Sequence, residues 1–288
     1  MATLEFSGPN AQQIQYWNEQ AGPKWVALHD FINAQIEPLG RAAMDRARVT
    51  AGERVLDVGC GCGHTTLELA RRVGPTGSAL GVDISTTMLD RARADARAAG
   101  LHNAQFEEAD AQTHALPRAH FDLVFSRFGV MFFSDPTAAF ANLQSALRPG
   151  GRVAFVCWQA LPENPWMFVP LMAAAQYIQL PAPPEPGAPG PFAFADAERV
   201  RGILTGAGFV DVAIDPHNEV LAIGAGLDLD RTVDFLLQMG PTGNALRQAA
   251  GEVNLAAVSA AIAEALRAYQ TPQGVRMPSA AWIVTARK

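Results

Sequence analysis

The stretch Val55-Leu56-Asp57-Val58-Gly59-Cys60-Gly61-Cys62-Gly63-His64 narrows the possible folds more than any other part of the chain. A short apolar run carries a carboxylate and then a glycine at every second place. Such glycines let the backbone turn sharply and approach a ligand closely, and a helix that starts behind them offers free N–H groups. From Glu53 onward, apolar strand-like runs alternate with helical patterns, the sign of a mostly parallel sheet with crossover helices. Strands are expected at Arg54–Val58, Ala79–Val82, Ala104–Glu107, Phe121–Phe125, Arg152–Cys157, Phe209–Ile214 and Ala281–Ala286. Between them, helices are expected at Thr65–Val73, from a Ser85 cap to Ala99 with Gly100 as the stop, and from Asp135-Pro136 to Arg148-Pro149-Gly150-Gly151. This predicts an α/β fold: a doubly wound, seven-stranded, mostly parallel sheet with an N-terminal helical cap and helical insertions.

The boundaries follow from where the alternation breaks. Residues 1–47 read as the cap, rich in aromatics such as Tyr16, Trp17, Trp25 and Phe31. Residues 48–157 are the first part of the α/β core. Residues 158–195 form an apolar insertion with a helix expected at Met167–Leu180 and a Pro-rich run, Pro181–Pro191, that is neither helix nor central strand. Residues 196–288 complete the core, with a helical insertion over 228–269. Charged residues make up only 17% of the chain, below the roughly 25% of ordinary domains. The shortage is local: between Val153 and Ala195 only Glu163 and Glu185 carry charge. That segment is therefore expected to be an apolar lid or a subunit contact, which keeps a homodimer open.

Other classes are set aside on composition. A net charge of −6 argues against a partner held through nucleic-acid phosphates. The start, MATLEFSGPN, lacks the basic and apolar regions of a secretory signal, and Phe121–Phe133 is too short and too charged to span a bilayer. Cys60, Cys62 and Cys157 form no disulfide framework, and a C-x-C without a nearby partner is a poor zinc site. No carboxylate cluster for a metal can be assembled from the spacing, so no metal is expected. The chain is expected to be cytoplasmic.

Two ligand classes use such a glycine turn, a dinucleotide and S-adenosylmethionine. A dinucleotide fingerprint needs G-x-G-x-x-G/A, with a small residue where the helix packs on the strand. Here the third glycine comes one place early and His64 occupies the small position. Asp57 beside the turn disfavours a pyrophosphate and suits an ammonium group. Gly81-Val82-Asp83 ends the second strand in an acid able to accept two ribose hydroxyls. Glu108-Ala109-Asp110-Ala111 follows the third strand, where a carboxylate can accept an adenine amino group or simply cap a turn.

Asp57-Val-Gly59-Cys-Gly61-Cys-Gly63, Asp83, Asp110-Ala111 and Leu147-Arg-Pro-Gly-Gly151 together resemble the class I S-adenosylmethionine-dependent methyltransferases, in the branch of the ubiquinone/menaquinone methylases. The resemblance implies S-adenosyl-L-methionine as cofactor and S-adenosyl-L-homocysteine as product. It places the methionine part at Asp57, Gly59, Cys60, Gly61, Gly63 and Thr65. The ribose falls to Asp83, and the adenine to Ile84, Met88, Asp110, Ala111 and Gln112. Ser126, Arg127 and Phe128 then face the sulfonium and the acceptor. Tyr16, Trp17 and Trp25 either close over the cofactor, with a cation–π contribution, or pack the cap on the sheet.

For the acceptor, a small molecule, the residues leave more open. Of six histidines, His64 lies in the turn, and His102 and His120 sit in turns facing solvent. His29, His114 and His217, the last beyond the sixth strand, remain. His29 and His114 stand with Arg127 as catalytic candidates, and no base is singled out. Arg127 lies among apolar residues at a strand end, so it anchors an acceptor carboxylate or phenolate, or it pairs with Asp57 or Asp135. Phe128, Met131, Phe132, Trp158 and Trp166 are expected to line an acceptor pocket, with Asn164 as a polar contact. The expected activity is methyl transfer to oxygen or carbon of an apolar or aromatic acceptor. The alternatives are a quinone-precursor C-methylase, a dinucleotide-dependent reductase and a cofactor-binding protein without catalysis.

Overall fold

A computed structural model describes residues 8–288, so positions 1–7 of the expected cap lie outside the described residues. The cap consists of α1 (Ala11–Gln15), a π-helical turn (Tyr16–Ala21), α2 (Gly22–Ala27) and the long α3 (His29–Ala47). The core then alternates as the apolar pattern predicts: β1 (Arg54–Val58), α4 (His64–Val73), β2 (Ser78–Asp83), α5 (Thr86–Ala98), β3 (Ala104–Glu108) and β4 (Phe121–Arg127). It continues with α6 (Pro136–Ala146), β5 (Leu147–Trp158), α7 (Pro165–Ala174), α8 (Ala197–Gly206) and β6 (Val210–Ala222). The chain closes with α9 (Leu229–Gln238), α10 (Gly240–Gln248), α11 (Leu255–Leu266), the two-residue β7 (Gln270–Thr271) and β8 (Gly274–Arg287).

The strands lie side by side in the order β3-β2-β1-β4-β5-β8-β6, and β7 pairs only with β8. β1 through β5 run parallel, and β8 is antiparallel to both β5 and β6. The order reverses between β1 and β4. A crevice opens there because the connections from the two strands leave on opposite sides of the sheet. Leu56, Leu123, Val124, Phe125 and Phe155 are fully buried in the central strands. Phe140 on α6 meets Phe155 at 5.5 Å and Phe194 at 6.2 Å, which joins helix layer and sheet in one core.

The elements differ from expectation mainly where pairing, not composition, sets the limit. β6 runs on to Ala222 through Asp215-Pro216-His217-Asn218-Glu219, a polar stretch that reads as loop. It is strand because β8 pairs with it residue by residue, from Ala213↔Thr285 to Ala222↔Arg276. His217 accordingly sits inside β6 opposite Ala281, not beyond it. Leu147–Gly151, expected to end a helix, begins β5, with Leu147 opposite Phe121 ahead of a register shift. The helix expected at Met167–Leu180 is Pro165–Ala174. Ser85 does stand at the start of α5, yet its hydroxyl caps nothing: it donates to the Trp17 carbonyl at 3.0 Å.

The charge-poor segment is explained by what surrounds it. α7 packs against α10, α11 and β8 at once, and Trp166, Met167, Leu171 and Ala174 are buried. A helix enclosed on several sides has no face for charges. The Pro-rich run beyond it is largely exposed from Pro181 to Pro186. No helix among the described residues is long and apolar enough to cross a membrane.

Asn164 ties this insertion to the sheet. Its side chain is fully buried, Nδ2 donates to the carbonyls of Gln159, Ala160 and Ala280, and Oδ1 accepts from the Ala280 N–H at 3.0 Å. Both N–H groups and the oxygen of the amide bond to backbone, and the fully buried side chain is not on the cavity wall. Its expected role as a polar contact in the pocket is replaced by a structural one. Asn164→Ala should lower the unfolding free energy by about 1–3 kcal/mol through the stranded Ala280 groups. Denaturant melts check this, and an unchanged midpoint would contradict it.

Candidate active site

The site grows from the carboxyl end of β1. Asp57 is the last but one residue of that strand and is wholly buried. Its Oδ2 accepts the hydroxyls of Thr65 and Thr66, each at 2.6 Å. These two residues open α4, so the carboxylate binds the end of the strand to the start of the helix across the turn. Gly59, Gly61 and Gly63 all have positive φ, which glycine adopts without strain. Gly63 also leaves no room for a side chain: a Cβ there would lie 2.7 Å from the Ala92 Cβ. Burial is the main cause that raises the Asp57 carboxyl to about 6, against the two threonine hydroxyls and the Arg127 charge, which lower it. Its Oδ1 has no hydrogen-bond partner.

Asp83 ends β2 beside the turn. Its Oδ2 accepts from the Gly61 N–H at 2.7 Å and its Oδ1 from the Ser85 N–H at 2.9 Å. Each carboxylate oxygen offers two lone-pair directions, so two of about four remain for a ligand. Asp110 follows β3, with Oδ1 accepting from the Gln112 N–H at 3.0 Å and from the Asn10 side-chain amide at 3.3 Å. At the end of β4, Phe128 holds φ 62°, a left-handed conformation that costs energy for a bulky residue. Its ring stacks on Trp158 with centroids 4.1 Å apart and planes 11° from parallel, and Trp158 meets Trp166 at 5.5 Å.

These elements enclose one cavity of about 230 Å³. Gly59, Cys60, Gly61 and Thr65 line it from the turn, and Asp83, Ile84 and Met88 from the second crossover. Asp110 and Ala111 complete that end. On the other side stand Arg127, Phe128, Met131, Phe132, Trp158 and Trp166, with Trp25 and His29 from the cap. The structure thus brings together most of the residues expected from the sequence.

Several stand off the wall. Asp57 and Gly63 lie behind the turn and shape it. Ser126 Oγ donates to the Val58 carbonyl at 2.7 Å and accepts from the Gly129 N–H, which locks β4 to β1. The Gln112 amide bonds Ser134 and the Asp135 N–H, holding the loop behind Asp110. Tyr16 is one turn residue away from the cavity, with its ring against Trp17. His114 is a half-buried surface group 3.0 Å from the Glu107 carboxylate.

Arg127 is half-buried on the cavity wall, and loss of hydration pulls its guanidinium down to about 10 against the attraction of Asp57 and Glu37. Its Nη1 donates to Asn33 Oδ1 at 3.0 Å, so its hydrogen-bonded neighbour is a neutral amide on α3. No ion pair within 4 Å to Asp57 or Asp135 forms among the described residues.

Three contributors escaped the sequence reading. Asn10 lines the cavity beside Asp110, and its Oδ1 is buried without a partner. Asn18 donates to the Ile84 carbonyl at 2.8 Å and accepts from the Thr86 N–H, pinning the π-helical turn over the end of β2. Met239, between α9 and α10, and Gly240 and Pro241, which open α10, reach the cavity from the far insertion. An aromatic cap signals cover, but which polar cap residue reaches which strand end is set by packing alone.

With fold and cavity established, the class is clear. A family model described as a methyltransferase domain matches residues 55–151. The chain is 38% identical over 148 residues to aklanonic acid methyltransferase DauC of Streptomyces sp. (strain C5), covering 50% of this chain and 67% of that one. It is 31% identical over 184 residues to nocamycin O-methyltransferase of Saccharothrix syringae, covering 61% and 65%. It is 33% identical over 149 residues to the ubiquinone/menaquinone C-methyltransferase UbiE of Hahella chejuensis (strain KCTC 2396), covering 51% and 59%. The chain therefore spans about two thirds or less of these relatives. Among solved structures it resembles the YcgJ protein of Bacillus subtilis with TM-score 0.54 at 17% identity, covering 86% of this chain and 97% of that one. It also resembles the [4+2]-cyclase SpnF with TM-score 0.52 at 21% identity, covering 87% and 80%. The chain belongs to the methyltransferase family, and its architecture is the class I methyltransferase fold.

Asp57 gives the site a measurable pH signature. A carboxyl raised to about 6 in the fold and near 3.9 when unfolded favours folding fully below pH 3.9, and that advantage is lost as pH rises to 6. The deficit above pH 6 is on the order of 2–3 kcal/mol. Asp57→Asn keeps an oxygen for both threonines and removes the charge. The variant without ligand should melt above the parent at pH 8, with the gap closing towards pH 4. A gap independent of pH would contradict the assignment.

Proposed function

We propose that the protein is an S-adenosylmethionine-dependent methyltransferase acting on a small, flat, apolar or aromatic acceptor at oxygen or carbon. The observation that carries this reading is that one cavity joins two unlike ends. The glycine turn, Asp83 and Asp110 supply hydrogen-bond acceptors and a turn of bare backbone at one end. The stacked Phe128–Trp158 pair, Trp166 and Phe132 supply flat apolar surface at the other. In this reading Asp83 accepts the two ribose hydroxyls with its free lone pairs. Asp110 and the unpartnered Asn10 Oδ1 take the adenine amino group, and Ile84 and Met88 flank the ring. The turn carries the methionine part above the Asp57 charge.

Transfer from a sulfonium is an in-line displacement. S-adenosylmethionine held in this cavity would supply an electrophilic methyl group, and the oxygen or carbon that accepted it would give up its proton to solvent. The protein mainly aligns the partners and excludes water, which the two insertions and the cap do by closing over the sheet edge. Trp17 packs edge-on against Trp25 at 5.7 Å and Phe132 at 5.2 Å, so cap and acceptor wall meet in one aromatic seam. Arg127, charged and facing the cavity beside this seam, suits an acceptor that carries an anionic oxygen. Aklanonic acid methyltransferase and nocamycin O-methyltransferase, by name, act on natural products, which agrees with a roomy apolar pocket.

A second reading rests on the similar fold of SpnF, which is described as a [4+2]-cyclase: the fold alone does not fix methyl transfer as the reaction. Calorimetry separates the classes. Saturable S-adenosylhomocysteine binding, lost in Asp83→Ala, with no NADH binding is the expected result, and the reverse pattern would overturn the reading. A mass gain of one methyl group in place of hydrogen on an aromatic acceptor then distinguishes a methyltransferase from a cyclase or an inert binder.

A further inference from the structure

The cap and the glycine turn bring together three metal-ligating side chains that the sequence keeps apart. His29 and Asp30 open α3, and His64 opens α4. One donor atom from each lies within 4.8 Å of the other two. Both histidines line the cavity, and their rings face each other at 5.6 Å and 29°.

The state of His29 points to a ligand. The ring is 7% exposed. Its Nδ1 lies 2.8 Å from the Val26 carbonyl, which can only accept, so the proton sits on Nδ1. The other ring nitrogen, Nε2, is buried and has no hydrogen-bond partner. Asp30 Oδ1 stands 3.1 Å from it, close enough for both atoms to bind one cation. Two bonds of about 2.1 Å spanning that gap subtend about 95°, an ordinary angle at a metal. The His64 donor lies within 4.8 Å of both atoms, so a small inward shift of its side chain brings it to the same ion. An imidazole whose other nitrogen donates to a backbone carbonyl is also how metal-binding histidines are usually held.

We propose that His29, Asp30 and His64 form a divalent-cation site on the cavity wall, with its open coordination positions turned towards the cavity. The donor set selects the ion. Two imidazoles and one carboxylate favour borderline ions such as Zn²⁺ and Co²⁺ over Mg²⁺ or Ca²⁺, which prefer all-oxygen cages. The Arg127 guanidinium on the same wall opposes any second positive charge, and the Asp30 carboxylate offsets it, so affinity rests on the nitrogen–metal bonds. Cys60 and Cys62 belong to the same turn, but their sulfurs are not among the donor atoms that lie within 4.8 Å of one another.

The test is a Co²⁺ titration of the untagged full chain read by visible absorption, with S-adenosylhomocysteine calorimetry on the same samples. Expected are one Co²⁺ per chain, d–d bands displaced by Zn²⁺, and at least a tenfold loss of affinity in His64→Ala and in the exposed-site variant Asp30→Asn. Unchanged far-ultraviolet circular dichroism and thermal melting show that the variants are folded. Absence of bands, or bands that survive His64→Ala, would overturn the proposal. Co²⁺ bands without S-adenosylhomocysteine binding in the parent would leave the cation site standing and remove the methyltransferase reading instead.

Discussion

The buried Asp57 carboxylate is the interaction on which the site depends. It receives Thr65 and Thr66 through short hydrogen bonds, and these residues belong to the first turn of α4. The strand end and the helix start are thereby clamped, and the three glycines between them must bend into positive φ. Removing a charge from water is costly, and two hydroxyls return only part of that cost. The remainder is a strain carried by the fold at the place where a cationic ligand group would relieve it. The same clamp sets the direction of α4, and with it the position of His64 and the N-terminal wall of the cavity.

The second organising feature is the switch in strand order between β1 and β4. Because crossovers diverge there, the carboxyl ends of β1, β2, β3 and β4 deliver the turn, Asp83, Asp110 and Phe128 to a common crevice. The sheet alone would leave that crevice open. The cap, the α7 insertion and the start of α10 each contribute to the wall, and aromatic contacts join cap and insertion to the core: Trp17 with Phe132, Phe128 with Trp158, and Trp158 with Trp166. Aromatic rings cover much area with few rotatable bonds, so they close a cavity at small entropic cost.

Much of this was legible in the sequence. Alternation located all seven strands of the main sheet, and the glycine spacing with the acids at the ends of the second and third strands located residues that line one end of the cavity. What failed shares a physical origin. β6 looked short because its outer half is polar, yet a strand paired on one side with β8 needs no apolar pattern there. Asn164 looked like a pocket residue because it lies among tryptophans, but its amide is spent on the backbone of Ala280. Ser126 and Gln112 sit at the right strand ends and turn inward to hold the frame. A side chain's direction at a strand end depends on what backbone is left unpaired nearby, and no local pattern encodes that.

The sequence by itself determined the α/β class, the glycine turn, the acids that end successive strands and the charge-free stretch that must be enclosed. These are local properties, set by periodicity, backbone freedom and solvation. Only the tertiary structure decided that Asn10 reaches the cavity beside Asp110, that Asn18 pins the cap to the end of β2, that Arg127 bonds Asn33, and that His29 and Asp30 lie beside His64. Those pairings join segments far apart along the chain, and they arise from helix packing on the sheet, where distance in sequence carries no information about distance in space.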